Sequence, residues 1–177
     1  MVIHGMKNMK IITHDNGWTK IIDEDINSLS ETQIIEVIKL VVSNMVVVFK
    51  KQKMTPEQEV NFCKVAGSVQ HYPANEKRLN NIAVGENILR VTGEKNKHGE
   101  PGLFGHVSAL DWHANQCSNK KRDPLIWLYG VKGTAGSRTS WLNMIEAYND
   151  LDDHIKEHIK DFKIICGYKD GNYSTSN

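Results

Sequence analysis

The chain has 177 residues and a formal charge of +1, with 24% charged and 40% hydrophobic residues, a size and composition that suit one domain with a sizeable core. The balanced charge points to neither a nucleic-acid surface nor an acidic tail, and no apolar run reaches membrane-spanning length. Cys63, Cys117 and Cys166 are scattered and form no CxxC pair, which argues against a disulfide framework or a zinc knuckle and for reduced thiols in a cytoplasmic protein. The opening "MVIHGMKNMK" has no apolar stretch of the signal-peptide type.

In chain order, "KIITHDNGWTKIID" alternates about Asp15-Asn16-Gly17, which predicts a strand, a turn and a second short strand. "SETQIIEVIKLVVSN" begins with a capping box, Ser30 with Gln33, and carries a helical stripe of Ile34, Ile35, Ile38, Val41 and Val42. "MVVVFK" reads as a buried strand. "TPEQEVNFCKVAGSV" repeats the helix-start grammar, with Thr55 as cap, Pro56 at the first position, Gln58 reaching back and Gly67 as the stop. Ile88 to Thr92 predicts a strand, and "KNKHGEPGLFGHVS" a loop. "ALDWHANQ" alternates like a strand edge, and "PLIWLYGVK" reads as a buried strand before the turn "GTAGSRT". "TSWLNMIEAYNDL" enters a helix whose stripe continues through Tyr148, Leu151, Ile155, Ile159 and Phe162. "KIICGY" begins a further strand, and the tail "KDGNYSTSN" is polar. Trp112, Trp127 and Trp141 fall at strand or helix-entry positions and are expected in the core. The whole is α+β, and no glycine-rich nucleotide fingerprint is present.

Chemistry concentrates at "LDWHANQ". In an extended segment, residues two apart share a face, so Asp111, His113 and Asn115 would project together. A histidine followed two residues later by a carboxylate is the local half of the arrangement of two histidines and one carboxylate that holds Fe(II) and leaves positions open. Spacing alone is a weak signal, because such a pair is more often an ordinary hydrogen-bonded feature.

The surrounding order is more specific. From Leu110 to Leu151 the chain shows "DWHANQ", then Pro124 with "LIWLYGV", then "GSRT" at Gly136 to Thr139, then Trp141, Asn143 and Ala147-Tyr148. Upstream stand a helix, "VVVFK" and "TPEQEVNFCKVAGSV". Together these resemble the taurine dioxygenase-like (TauD/TfdA) family of Fe(II)/2-oxoglutarate-dependent oxygenases, over Asp15 to about Phe162. The resemblance implies a double-stranded β-helix of the jelly-roll, cupin-like type with flanking helices. It implies Fe(II) as metal, 2-oxoglutarate as cosubstrate, and O2 and a small organic molecule as substrates. His113 would be the first iron ligand. Thr139 would donate its hydroxyl to the distal carboxylate of 2-oxoglutarate, whereas turn chemistry alone would bind that hydroxyl to its own backbone.

Two departures from the family pattern stand out. The expected aspartate is Asn115, whose amide oxygen is neutral and a weaker donor to a hard cation; Asp111 is a candidate replacement carboxylate. The distal histidine and arginine of the family lie further downstream than Asn177, so the expectation is a single oxygenase-like domain over 1–177, truncated at the C-terminus with its last strands missing or incomplete. Tyr72 falls where the family lines its substrate pocket, and is a candidate substrate contact or a packed loop tyrosine. "EPGLFG" reads equally as a lid and as a plain connection, with surface histidines at His98 and His106. His154 and His158 lie four apart on a charged helix, and a solvated face is expected there. Nucleic acid and membrane are not expected as partners, and a homo-oligomer is left open as an assembly. Two rival classes accommodate the same residues: a catalytically dead binding module of this fold, marked by Asn115, and an unrelated α+β structural protein.

Overall fold

Ile11–Thr13 (β1) and Thr19–Ile22 (β2) pair antiparallel, with Ile11 opposite Ile22 and Thr13 opposite Lys20. The turn between them is set by side-chain chemistry. Asn16 accepts from the Thr19 N–H at 3.0 Å and donates to its hydroxyl at 2.9 Å, while Gly17 takes the left-handed φ of 78° that the reversal requires. This computed structural model describes residues 9–71, 83–95, 99, 112–115 and 124–163. The chain divides into two units, Met1–Ala109 and Leu110–Asn177.

In the first unit, β2 runs into a single 3-10 turn, Ile26–Ser28, capped by the Asp25 carboxylate, which accepts from the Asn27 N–H at 3.0 Å. Helix α1 (Glu31–Asn44) then starts on the expected capping box: the Ser30 hydroxyl accepts from the Gln33 N–H, and the Gln33 side chain accepts from the Ser30 N–H at 2.9 Å. Its inward face is rotated from the sequence reading. Ile34 and Val37 are buried and Leu40 is half-buried, whereas Ile35 and Val42 are exposed. The helix ends at Met45, whose φ of 67° and ψ of −50° are strained for a side chain with a Cβ. Val46–Phe49 (β3) follows and pairs with β2 in parallel, Thr19 opposite Val46 and Ile22 opposite Phe49. The sheet order is β1-β2-β3, and β2–α1–β3 is a parallel crossover that the α+β reading did not anticipate.

Helix α2 (Pro56–Ala66) carries the second capping box, Thr55 with Gln58, has proline at its first position, and stops at Gly67 with φ 144°. α1 packs on α2, β3 and β2. The core of this unit is Met9, Ile22 and Val37, with Ile11, Leu29, Leu40, Val47, Phe49 and Phe62 against it. Phe49 and Phe62 meet edge to face at 6.4 Å. Ala83–Val84 (β4) and Ile88–Leu89 (β5) form a second hairpin, so the strand expected over Ile88 to Thr92 is shorter. Its partner β4 was not read from sequence. The Asn87 amide donates to the Gln70 carbonyl at 2.8 Å and ties this hairpin to the end of α2.

A polar clamp joins the segment after β2 to the segment after β3. Gln52 accepts from the Ile26 N–H at 2.8 Å and donates to the carbonyls of Glu24 at 2.8 Å and Lys50 at 2.6 Å. Asn27 donates to the Lys53 carbonyl at 2.8 Å. Ile26 is 2% exposed, so its N–H has no access to water as a substitute partner.

In the second unit the described residues 124–131 show half-buried and exposed positions in alternation through Gly130, but no strand ladder, and 112–115 form a bend and a turn. The two strands expected there are therefore absent among the described residues, which do not close a double-stranded β-helix. None of the described residues of this unit is fully buried. Trp112 is 69% and Trp141 49% exposed, and Trp127 is half-buried, which corrects their expected place in the core. The single long helix expected here is two, α3 (Met144–Asn149) and α4 (Asp153–Ile159). Asn143 caps α3 by accepting from the Ile145 and Glu146 N–H groups. The break falls at Asp150-Leu151-Asp152, where Asp152 takes the extended conformation of a helix cap; short polar side chains favour such ends over helix interiors. "KIICGY" after its first residue, Tyr72, His98, His106, Asp111 and all of "EPGLFG" lie outside the described residues.

Two outcomes are expected from this packing. Gln52→Ala strands the Ile26 N–H and is expected to destabilise the protein by about 1–3 kcal/mol, read as a lowered denaturant midpoint. The Cys63 thiol is pushed up to about 11 from 9.0 by burial and by the neighbouring Glu59 carboxylate. Alkylation of Cys63 at pH 8, followed by peptide mass spectrometry, is therefore expected to run about 100-fold slower in the native than in the unfolded chain, since only the thiolate reacts. The same shift makes stability fall as pH rises from about 9 to 11, where the unfolded thiol ionises and the folded one does not.

Candidate functional site

His113 and Asn115 occupy the exposed segment 112–115, with Trp112 and Ala114 also exposed. Because the segment bends at Trp112 and turns at Asn115, the shared face expected of a strand does not follow from backbone alternation. The chemistry of the two side chains is unequal. A neutral imidazole is a good ligand for a divalent transition metal. The Asn115 amide presents an oxygen without charge, where hard cations favour carboxylate. Among the described residues no group of three His, Cys, Asp or Glu side chains is placed to hold a metal ion. The described donors therefore do not fit Fe(II) as a complete set: His113 suits it and Asn115 does not.

Thr139 follows the turn built by "KGTAGS". Gly133 and Gly136 take left-handed φ values of 66° and 82°, which the chain reversal needs. Gly130 is held small for a different reason, since a Cβ there would meet the Thr134 methyl at 3.2 Å. Ser137 closes the turn, its N–H and hydroxyl both donating to the Thr134 carbonyl, at 3.1 Å and 2.9 Å. Local turn chemistry thus falls on Ser137. Among the described residues the Thr139 hydroxyl has no hydrogen-bond partner, and the residue is exposed.

The remaining candidates behave as follows. His154 and His158 are exposed on α4, as a solvated face requires; His154 lies 4.0 Å from the Asp152 carboxylate, and the His158 ring packs edge-on against Phe162 at 5.1 Å. His71, just before Tyr72, approaches Glu86 at 3.8 Å with both side chains in solvent. Sequence reading missed Glu36, which is 6% exposed in α1. Lys39 donates to one of its oxygens at 2.6 Å, and the other has no hydrogen-bond partner among the described residues. No sequence signal marks it, since a glutamate at that helical position reads as surface. An open cleft of about 340 Å³ in the first unit is lined by Asp23, Asp25, Lys51 and Lys53 among others, so its charges offset one another and define no ligand of one sign.

No helix among the described residues is long and apolar enough to cross a membrane. No curated protein and no solved structure matches the chain. A family model described as taurine catabolism dioxygenase TauD, TfdA family matches residues 15–176, a span that takes in His113, Asn115 and Thr139. With that match over nearly its whole length, the chain belongs to the TauD/TfdA family.

Proposed function

We propose that this chain is an Fe(II)/2-oxoglutarate-dependent dioxygenase, of the class that couples oxidative decarboxylation of 2-oxoglutarate to hydroxylation of a small organic substrate, acting in the cytoplasm. The observation that carries the reading is the family match across residues 15–176, with His113 and Thr139 standing in the family's motif order. His113 supplies the first nitrogen donor. Thr139 supplies a hydroxyl to an anionic carboxylate oxygen, a charge-assisted bond. Its exposure and the Ser137 turn closure support this role, because the local backbone does not consume the hydroxyl. The metal, when bound, supplies the oxygen chemistry; the chain's own part is to hold the keto acid and present it. The double-stranded β-helix of the family is part of the same proposal. Asp111 and Tyr72 are retained as candidates for a carboxylate donor and a substrate contact.

One residue favours a second reading. Asn115 in the aspartate position is what a binding module of the same fold, taking up 2-oxoglutarate without turnover, would carry.

Anaerobic titration calorimetry with 2-oxoglutarate in the presence of Fe(II) tests the site. Binding by the wild-type chain is expected to weaken about tenfold in Thr139→Val, the scale of one hydrogen bond to a charged group. Equal affinities remove Thr139 from the site, and no binding by either protein overturns the reading. Release of succinate on admitting oxygen then separates the enzyme from the binding module.

A further inference from the structure

We infer that His113 and Asn115 form an uncharged donor pair in which the Asn115 amide limits the affinity for Fe(II), so that the chain holds that ion weakly through its own residues. The inference rests on the family reading of this segment and departs from it at one atom. Both side chains are exposed, so no buried, low-dielectric setting strengthens a neutral donor against water. In such a solvated place an ion keeps its own water ligands unless the protein offers charge. Imidazole and amide together offer a formal charge of zero, where imidazole and carboxylate offer −1. An ion of charge +2 gains its attraction to that carboxylate at contact distance, where screening by salt is least.

The exchange of amide nitrogen for oxygen, Asn115→Asp, isolates this term with almost no change of shape. Anaerobic calorimetric titration of Fe(II) into the full chain, its Asn115→Asp variant, its His113→Ala variant and the double variant reads it directly. Asn115→Asp is expected to bind at least about tenfold more tightly than wild type, since even changes outside the ligand shell move metal affinity on that scale. His113→Ala in the same chain is expected to remove the gain. Any background from the exposed His154 and His158 is common to all four proteins. Far-ultraviolet circular dichroism confirms that each variant is folded.

Wild-type affinity equal to that of Asn115→Asp overturns the inference, because the amide is then not the limiting member. A gain that survives His113→Ala overturns it as well, because the two residues then do not share an ion. No gain at all shows that the pair is not a site. If that last result comes with intact Thr139-dependent binding of 2-oxoglutarate, the donor pair fails while the family reading stands; loss of both removes both.

Discussion

The first unit depends on a single amide side chain that satisfies three backbone groups. Gln52 receives the Ile26 N–H and supplies hydrogens to the Glu24 and Lys50 carbonyls. Ile22 and Phe49 are paired neighbours at the ends of β2 and β3, so the clamp sits where two chain segments leave the sheet side by side. One leads to α1 and the other to α2. Holding both exits sets where each helix begins, and the capping boxes at Ser30 and Thr55 then set how it begins. Hydrophobic burial of Ile22, Val37 and Met9 supplies the non-directional attraction; the clamp gives that attraction one geometry. It also has no local redundancy, because a 2% exposed residue cannot trade a lost partner for solvent.

The second unit has a different balance. Its described residues lie half-buried or exposed throughout, and its order comes from short-range polar devices: the Asn143 cap, the Ser137 turn closure, and Lys156 donating to the Asn149 carbonyl at 2.8 Å across the break between α3 and α4. Those devices suffice to place Thr139 after a tight turn with its hydroxyl unspent. They also leave His113 and Asn115 in water, so the chemistry of that pair is governed by formal charge and donor type more than by enclosure. Family membership and local chemistry therefore pull in different directions at one position. On the proposed function a metal would sit at His113, and the amide of Asn115 would be a poor co-ligand for it.

Signals carried by a few neighbouring residues were legible in the sequence. The two capping boxes, Pro56 at a helix start, Gly67 at a helix stop and the Asn16-Gly17 turn all rest on contacts within four residues, and each is found where the letters place it. The family was legible too, because its motif elements recur in order across the chain. What failed required partners distant in sequence. β2 and β3 run parallel because α1 carries the chain back over the sheet, which local alternation does not reveal. The apolar letters of α1 predict a stripe of Ile34, Ile35, Ile38, Val41 and Val42, but the buried side carries Ile34, Val37 and Leu40 while Ile35 and Val42 are exposed. Apolar letters at Trp112 and Trp141 were read as core, yet burial belongs to the surroundings and not to the residue. The long helix failed for a subtler reason: an apolar stripe of the right period ran straight through Asp150-Leu151-Asp152, where the backbone turns extended at Asp152 and a second helix begins.

The parallel pairing of β2 with β3 also orders events in time. β1 and β2 are joined by a tight turn and can zip together unaided, on the microsecond scale of hairpins. β3 has no such freedom. Its partner strand lies on the far side of everything from Asp23 to Met45, and closing that loop while the segment is still coil sacrifices chain entropy before any bond is gained. Nascent helix in α1 would shorten the span to be closed, so helix before parallel pairing is the expected order of folding. During synthesis the growing chain is therefore expected to present β1 and β2 as a ribbon whose β2 edge stays unpaired until Phe49 has emerged.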